Sequence, residues 1–158
     1  MKIRLYSIGK IKEPYLKDGI NEYVKRLSSY ASVEIIEVND SKVKDNPNES
    51  DIKKAKDEEG NRVLKLVKSD YLIGLDLNQA SYTSEEFAYF LNKKFIEGGS
   101  SISFVIGGSY GLSDELKARC NCSISLSKMT FLHQMTRLIL LEQIYRAFKI
   151  LNNETYHK

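Results

Sequence analysis

Two short segments concentrate the chemistry-bearing residues of this sequence. The first, Gly107-Gly108-Ser109-Tyr110-Gly111, follows directly on an apolar run, Ile102-Ser103-Phe104-Val105-Ile106. Glycines at such a place tolerate positive φ and let backbone N–H and C=O groups face a ligand at close range. The same five residues also spell G-x-S-x-G, the pattern of a hydrolase nucleophile elbow. Ser109 would then attack an acyl carbon, with His133 or His157 as base and Asp114 or a later acid orienting it. Spacing argues against that reading. Asp114 is too near Ser109 to close a triad, and the chain is too short for the extra strands that normally carry the acid and the histidine. A glycine cluster that ends a buried strand is also compatible with a tight turn and nothing more. No Walker lysine follows the cluster, and Gly9-Lys10-Ile11 is not G-x-G-x-x-G, so ATP and dinucleotide sites are not expected.

The second segment runs from Leu126 to Arg137 and mixes apolar and polar groups at a strand-to-helix junction. Backbone amides are unpaired at such junctions, and a ligand can take them. His133 and Arg137 are four residues apart and share a helix face. Arg137 there reads either as a surface ion-pair partner or as a cation that holds RNA phosphate and favours a deprotonated base. Arg146, four after Glu142, reads as half of a helix-surface salt bridge. The terminal Tyr156-His157-Lys158 ordinarily reads as a frayed end, separable from the core. Cys120 and Cys122 supply too few ligands for structural zinc and poor geometry for a mutual disulfide, so they read as reduced, structural thiols.

These segments need a scaffold, and the pattern supplies one. Alternation from Lys2 to Ile8 predicts a first strand ending at Gly9. Pro14 then opens a helix whose Leu16, Ile20, Tyr23, Val24 and Leu27 recur at helical spacing. A strand over 33–38 and a charged helix over 49–67, with Gly60 inside it at a cost of about 1 kcal/mol, come next. A third strand is expected over 71–77, and a capping box, Thr83 with Glu86, starts a helix that Gly98-Gly99 ends. The fourth strand, over 102–106, leads through the glycine cluster to a short helix capped by Ser113. A fifth strand over 123–126 and a long apolar helix over 132–150 complete the chain. Strands alternating with helices argue for an α/β fold with a mainly parallel sheet, organised as a single domain over 1–158. Ligands in such folds sit beyond the carboxyl ends of the strands, here after Leu75, Ile106 and Leu126.

Composition fits that scaffold. At 158 residues, with 42% hydrophobic and 28% charged positions, the chain can bury a core without a disulfide or a metal. No apolar run approaches the roughly 20 residues needed to span a bilayer, and the N-terminus lacks a signal-peptide core. A cytosolic protein with no membrane partner is expected. The net charge of +3 permits a nucleic-acid partner only through a local patch.

The runs Phe104-Val105-Ile106-Gly107-Gly108-Ser109-Tyr110-Gly111-Leu112 and Ser125-Leu126-Ser127-Lys128-Met129-Thr130-Phe131-Leu132-His133-Gln134-Met135, the stretch Glu142-Gln143-Ile144-Tyr145-Arg146-Ala147-Phe148-Lys149-Ile150, Arg137 and the terminal Tyr156-His157-Lys158 closely resemble the bacterial ribosomal large subunit methyltransferase H family. The resemblance spans the whole chain. It implies an enzyme that uses S-adenosylmethionine to methylate N3 of a pseudouridine in 23S ribosomal RNA of the assembled ribosome, working as a homodimer. It implies a SPOUT fold whose C-terminal segment forms a trefoil knot, a feature that general topology rules would exclude. Carried over residue by residue, it places the cofactor against Leu75, Gly107, Leu126, Ser127, Lys128, Met129, Thr130 and Phe131. His133, Arg137 and Lys158 would contact substrate. Arg137, Tyr156 and His157 would act in catalysis, the tyrosine by stacking or hydrogen bonding and the histidine by taking the N3 proton. The reaction implied is an in-line displacement at the sulfonium methyl, which rests on positioning and needs no metal. One departure is local: where the family has Phe-Pro-His, this chain has Phe131-Leu132-His133, giving up a fixed φ.

Overall fold

Alternation along the strands decides the architecture, because successive side chains of a strand face opposite sides of its sheet. In the computed structural model, which describes residues 1–158, β1 (Lys2–Ile8) sends Ile3 and Leu5 to one side and Tyr6 and Ile8 to the other. β1 is followed by α1 (Pro14–Leu27), β2 (Ser32–Val38), α2 (Glu49–Leu64), β3 (Tyr71–Leu75), α3 (Ser84–Glu97), β4 (Ser101–Ile106), α4 (Asp114–Arg119), β5 (Cys122–Ile124) and α5 (His133–Leu151). The five strands form one sheet in the order β2-β1-β4-β3-β5, and every neighbouring pair is parallel.

Both faces are covered, as a parallel sheet requires. On one face α1, α3 and α5 bury Ile20, Leu27, Phe87, Leu91, Phe95, Leu140, Leu141, Ile144 and Phe148 against Leu5, Ile73, Ile102 and Phe104. On the other, Val63 of α2 and Leu116 of α4 close over Tyr6, Ile8, Leu72 and Val105. Of the apolar residues of α5, Leu140, Leu141, Ile144 and Phe148 are buried against α1, α3 and the sheet, while Leu138, Ile139 and Ile150 stay partly exposed.

Local chemistry sets the helix starts. Asn48 and Asp51 form a reciprocal capping box at α2, Thr83 and Glu86 do the same at α3, and the Ser113 hydroxyl accepts from the Leu116 amide at α4. Gly60 has a packing reason: a Cβ there would lie 2.2 Å from Ser113 Oγ, so only glycine lets α2 seat against the cap of α4. Two strands end earlier than the pattern suggested. β3 stops at Leu75 because the Asp76 N–H donates to the Ile124 carbonyl and the Asp76 carboxylate accepts from the Asn78 amide, starting a turn. β5 stops at Ile124, and the Ser125 N–H donates to the Ala80 carbonyl. The released residues join the loops at the strand ends. No helix is long and apolar enough to cross a membrane.

Candidate active site

The loops beyond β3, β4 and β5 enclose a cavity of about 700 Å³. Its wall comprises residues 75–78, 106–112, 125–127 and 129–133, together with Lys117 and Thr136. The turn after β4 is possible because of its glycines. A Cβ on Gly107 would sit 2.6 Å from the Gly111 carbonyl carbon, and Gly111 adopts φ +87°, where L side chains are strained. The Gly111 N–H donates to the Gly108 carbonyl and holds the turn closed. After β5, the Ser125 hydroxyl donates to the Ser127 carbonyl at 2.7 Å, and the Ser127 hydroxyl accepts from the Met129 amide at 3.0 Å. These bonds fold the second segment back over the cavity.

Seven of the eight residues expected to hold the cofactor line this one cavity: Leu75, Gly107, Leu126, Ser127, Met129, Thr130 and Phe131. Lys128 is exposed and outside the wall. His133 lines the mouth at the start of α5. Burial and the neighbouring Arg137 hold its pKa below the usual 6.5, against an opposing pull from Asp40, so its ring is neutral at physiological pH. Leu132 has φ −56°, within the range proline would impose, so the absent proline leaves the helix start unchanged. No side chain caps that start and no acidic residue occupies its first turn.

Arg137 requires a correction. Its side chain is 1% exposed, and its guanidinium donates to Glu37 at 2.9 Å, to the Ile8 carbonyl at 3.1 Å and to the Gly9 carbonyl at 2.6 Å. A group so enclosed ties α5 to the end of β1, and its one unpartnered donor, Nε, is itself buried, so the guanidinium is not presented to an RNA phosphate. Helical spacing put it on the same face as His133, but that face turns inward one turn beyond the histidine.

The tail lies elsewhere. Tyr156 OH lies 3.1 Å from Tyr23 OH and donates to Glu142 at 3.1 Å, and its ring stands edge-on to Tyr145 with the Arg146 guanidinium 4.7 Å from its centre. His157 touches Arg146 through Nδ1 at 3.2 Å and Glu85 through Nε2 at 2.8 Å. The expected Glu142–Arg146 pair is present. Tyr156 and His157 thus come together with Arg146, on α5 and the start of α3, and neither they nor the exposed Lys158 line their own chain's cavity.

Residues 1–157 match the family described as "Predicted SPOUT methyltransferase". This chain belongs to the SPOUT methyltransferases. Within them it falls in the ribosomal large subunit methyltransferase H family, being 49% identical over its full length, and the full length of the relative, to "Ribosomal RNA large subunit methyltransferase H" of Carboxydothermus hydrogenoformans. It is 51% identical, again over both full lengths, to the protein of that name from Clostridium botulinum strain Langeland. Among solved structures, the tRNA (m1G37) methyltransferase of Aquifex aeolicus superposes with a TM-score of 0.54 at 15% identity, over 92% of this chain and 70% of that one, which establishes the shared α/β fold.

Some wall residues of this SPOUT methyltransferase escaped the sequence reading. Asp76 and Lys117 pair at 3.4 Å across the cavity rim, and Asn78, Tyr110 and Thr136 complete the wall. Adjacency to strand ends was the available signal, since all but Lys117 and Thr136 directly follow β3 or β4. The Ser109 nucleophile has no support: it is exposed, and His157 is engaged by Arg146 and Glu85.

Proposed function

We propose that this SPOUT methyltransferase transfers a methyl group from S-adenosylmethionine to N3 of a pseudouridine in 23S ribosomal RNA of the assembled ribosome. The observation that carries the reading is the cavity at the ends of β3, β4 and β5, which gathers Leu75, Gly107 and the 126–131 segment from three loops. The full-length likeness to proteins named for methylating large-subunit ribosomal RNA supports the substrate class. The cavity fits the donor, because it is of ligand size and combines apolar walls with exposed backbone groups. When bound, the donor would supply its sulfonium methyl: the ring nitrogen, its N3 proton passed to a base, would bond to the methyl carbon in line as the carbon–sulfur bond breaks and the neutral thioether leaves.

The chain's own residues then have distinct tasks. Leu75, Leu126, Met129 and Phe131 provide apolar surface for the adenine, and the backbone at Gly107 and Ser127 provides hydrogen bonds. The neutral His133 at the mouth accepts or donates a hydrogen bond to the incoming nucleotide. Displacement at a sulfonium methyl gains most of its rate from holding the acceptor nitrogen in line, so no Lewis acid enters the scheme. Tyr156 and His157 lie outside their own chain's cavity, so on this reading they serve the cavity of a second copy in a homodimer. The cation beside them is Arg146. Arg146 stabilises the deprotonated ring, the role expected of Arg137. The family resemblance implies a trefoil knot in the C-terminal segment, where Ser125 is bonded to Ala80 and α5 returns from the edge strand β5 to pack between α1 and α3. A ribosomal substrate places the protein in the cytoplasm.

The test is methyl transfer from labelled S-adenosylmethionine to ribosomes of cells lacking this protein, read by mass spectrometry of 23S RNA. A single added methyl on a pseudouridine is expected. Ribosomes whose RNA gains no mass would refute the assignment.

A further inference from the structure

α2 presses on the glycine loop and on the start of α4 through two consecutive residues, Glu59 and Gly60. Gly60 forgoes helix propensity and lets Ser113 approach. Its neighbour Glu59 is 4% exposed, and its Oε2 lies 2.8 Å from where a Cβ of Gly108 would stand. The carboxylate is therefore packed directly on the backbone of Gly108. Gly108 is itself part of the cavity wall, so one residue of backbone separates the carboxylate from the cavity.

No cation of the protein pairs with Glu59. Arg62, on the same helix, is committed to the Asn39 carbonyl, Ser41 and Glu58. Arg137 is committed to Glu37 and two carbonyls. His133 is neutral, and the remaining neighbours, Asp40 from the β2–α2 loop and Glu58, are acidic. Burial first, then Asp40, raise the Glu59 pKa to about 7, against the Ser41 backbone and Arg62. A buried carboxyl without a cationic partner is costly to keep ionised. A positive charge arriving on the far side of Gly108 would repay that cost.

We propose that Glu59 is a positioning residue that sets a negative charge behind the glycine loop, so that the cavity binds the cationic sulfonium donor in preference to its neutral thioether product. The inference rests on the S-adenosylmethionine reading of the cavity. It requires no contact between Glu59 and the ligand, since charges separated by a thin, poorly hydrated wall interact far more strongly than in water. Ionised Glu59 favours the donor, and the protonated acid is indifferent. The preference therefore strengthens as pH rises through neutrality.

The test is calorimetric binding of S-adenosylmethionine and S-adenosylhomocysteine at pH 6 and pH 8 to the wild type, E59Q and E59D. The ligands' own amino groups titrate in the same range and contribute equally to every variant, so the readout is the difference between proteins. In the wild type the donor-to-product affinity ratio should rise by about fivefold more across this range than in E59Q, the change expected when a carboxyl of pKa about 7 falls by about one unit on binding the donor. E59D should retain the wild-type trend. A measurement on the wild type alone covers the case in which E59Q does not fold: the titration midpoint of the Glu59 side-chain carboxyl, followed by carbon NMR, should fall with S-adenosylmethionine and hold with S-adenosylhomocysteine. Equal ratios in wild type and E59Q, or an equal midpoint with both ligands, would overturn the role of Glu59 and leave the cavity assignment standing. A wild type that binds neither ligand would remove the cavity assignment, and this inference with it.

Discussion

A guanidinium four residues after His133 can face water or the core, and periodicity alone does not choose between them. The contacts of Arg137 do, and they turn an expected substrate residue into a strut between α5 and the end of β1. Arg137→Ala would leave two backbone carbonyls without their donors and Glu37 without its cation. Loss of a buried, multiply bonded charge of this kind costs about 3 kcal/mol or more. Urea unfolding should show that loss directly, and a variant within about 0.5 kcal/mol of wild type would contradict the strut. Gly107 is limiting for a different reason, because any side chain meets the Gly111 backbone rather than a movable neighbour. Gly107→Ala should open the 107–111 turn and weaken S-adenosylmethionine binding by at least about tenfold, with the circular dichroism unchanged. Unaltered affinity in calorimetry would exclude the turn from the donor site.

At the scale of elements, the tail and α5 behave as one unit. A terminal tripeptide reads as separable, yet Tyr156 is held by Tyr23, Glu142, Tyr145 and Arg146 together, and His157 links α5 to the start of α3. The expectation that the tail is separable from the core is thus corrected. Truncation after Thr155 should lower stability by about 1–2 kcal/mol, from one aromatic pair and a few part-exposed hydrogen bonds. It should also reduce methyl transfer by orders of magnitude while sparing donor affinity. Tyr156→Phe separates the two effects, since it keeps the ring packing and removes only the hydroxyl bonds. Transfer to ribosomes at the wild-type rate by the truncated chain would assign the tail to folding alone.

At the scale of the whole molecule, four of the ten exposed large apolar side chains gather near the cavity mouth. Leu77, Tyr110, Met129 and Leu132 all line the cavity and are all exposed, Met129 at 74%. Surface of that kind at a site rim marks contact with another macromolecule. A homodimer would use this rim and the tail. Sedimentation at micromolar concentration should show a species of twice the chain mass, and Leu132→Glu should shift it toward the 18.1 kDa monomer. A wild type that sediments only as monomer would remove the basis for a tail acting across subunits.

Element types and order were legible in the sequence because each rests on local physics: alternation for β1, an apolar run for β4, the Thr83–Glu86 and Ser113 caps, and the glycines that end β4. The strand-end cavity followed from parallel α/β topology, and seven of its wall residues from the family resemblance. What was not legible depends on long-range contacts. Whether Arg137 turns inward is decided by carbonyls of Ile8 and Gly9, far away in sequence. Whether Glu59 is a solvated helix charge or a carboxylate set against the glycine loop is decided by how α2 crosses α4, with Gly60 removing the obstacle. The sequence determined which groups could carry chemistry. Only tertiary packing decided which of them are surrounded by protein, because burial and the identity of the neighbours, and not residue type, fix where a charge can act.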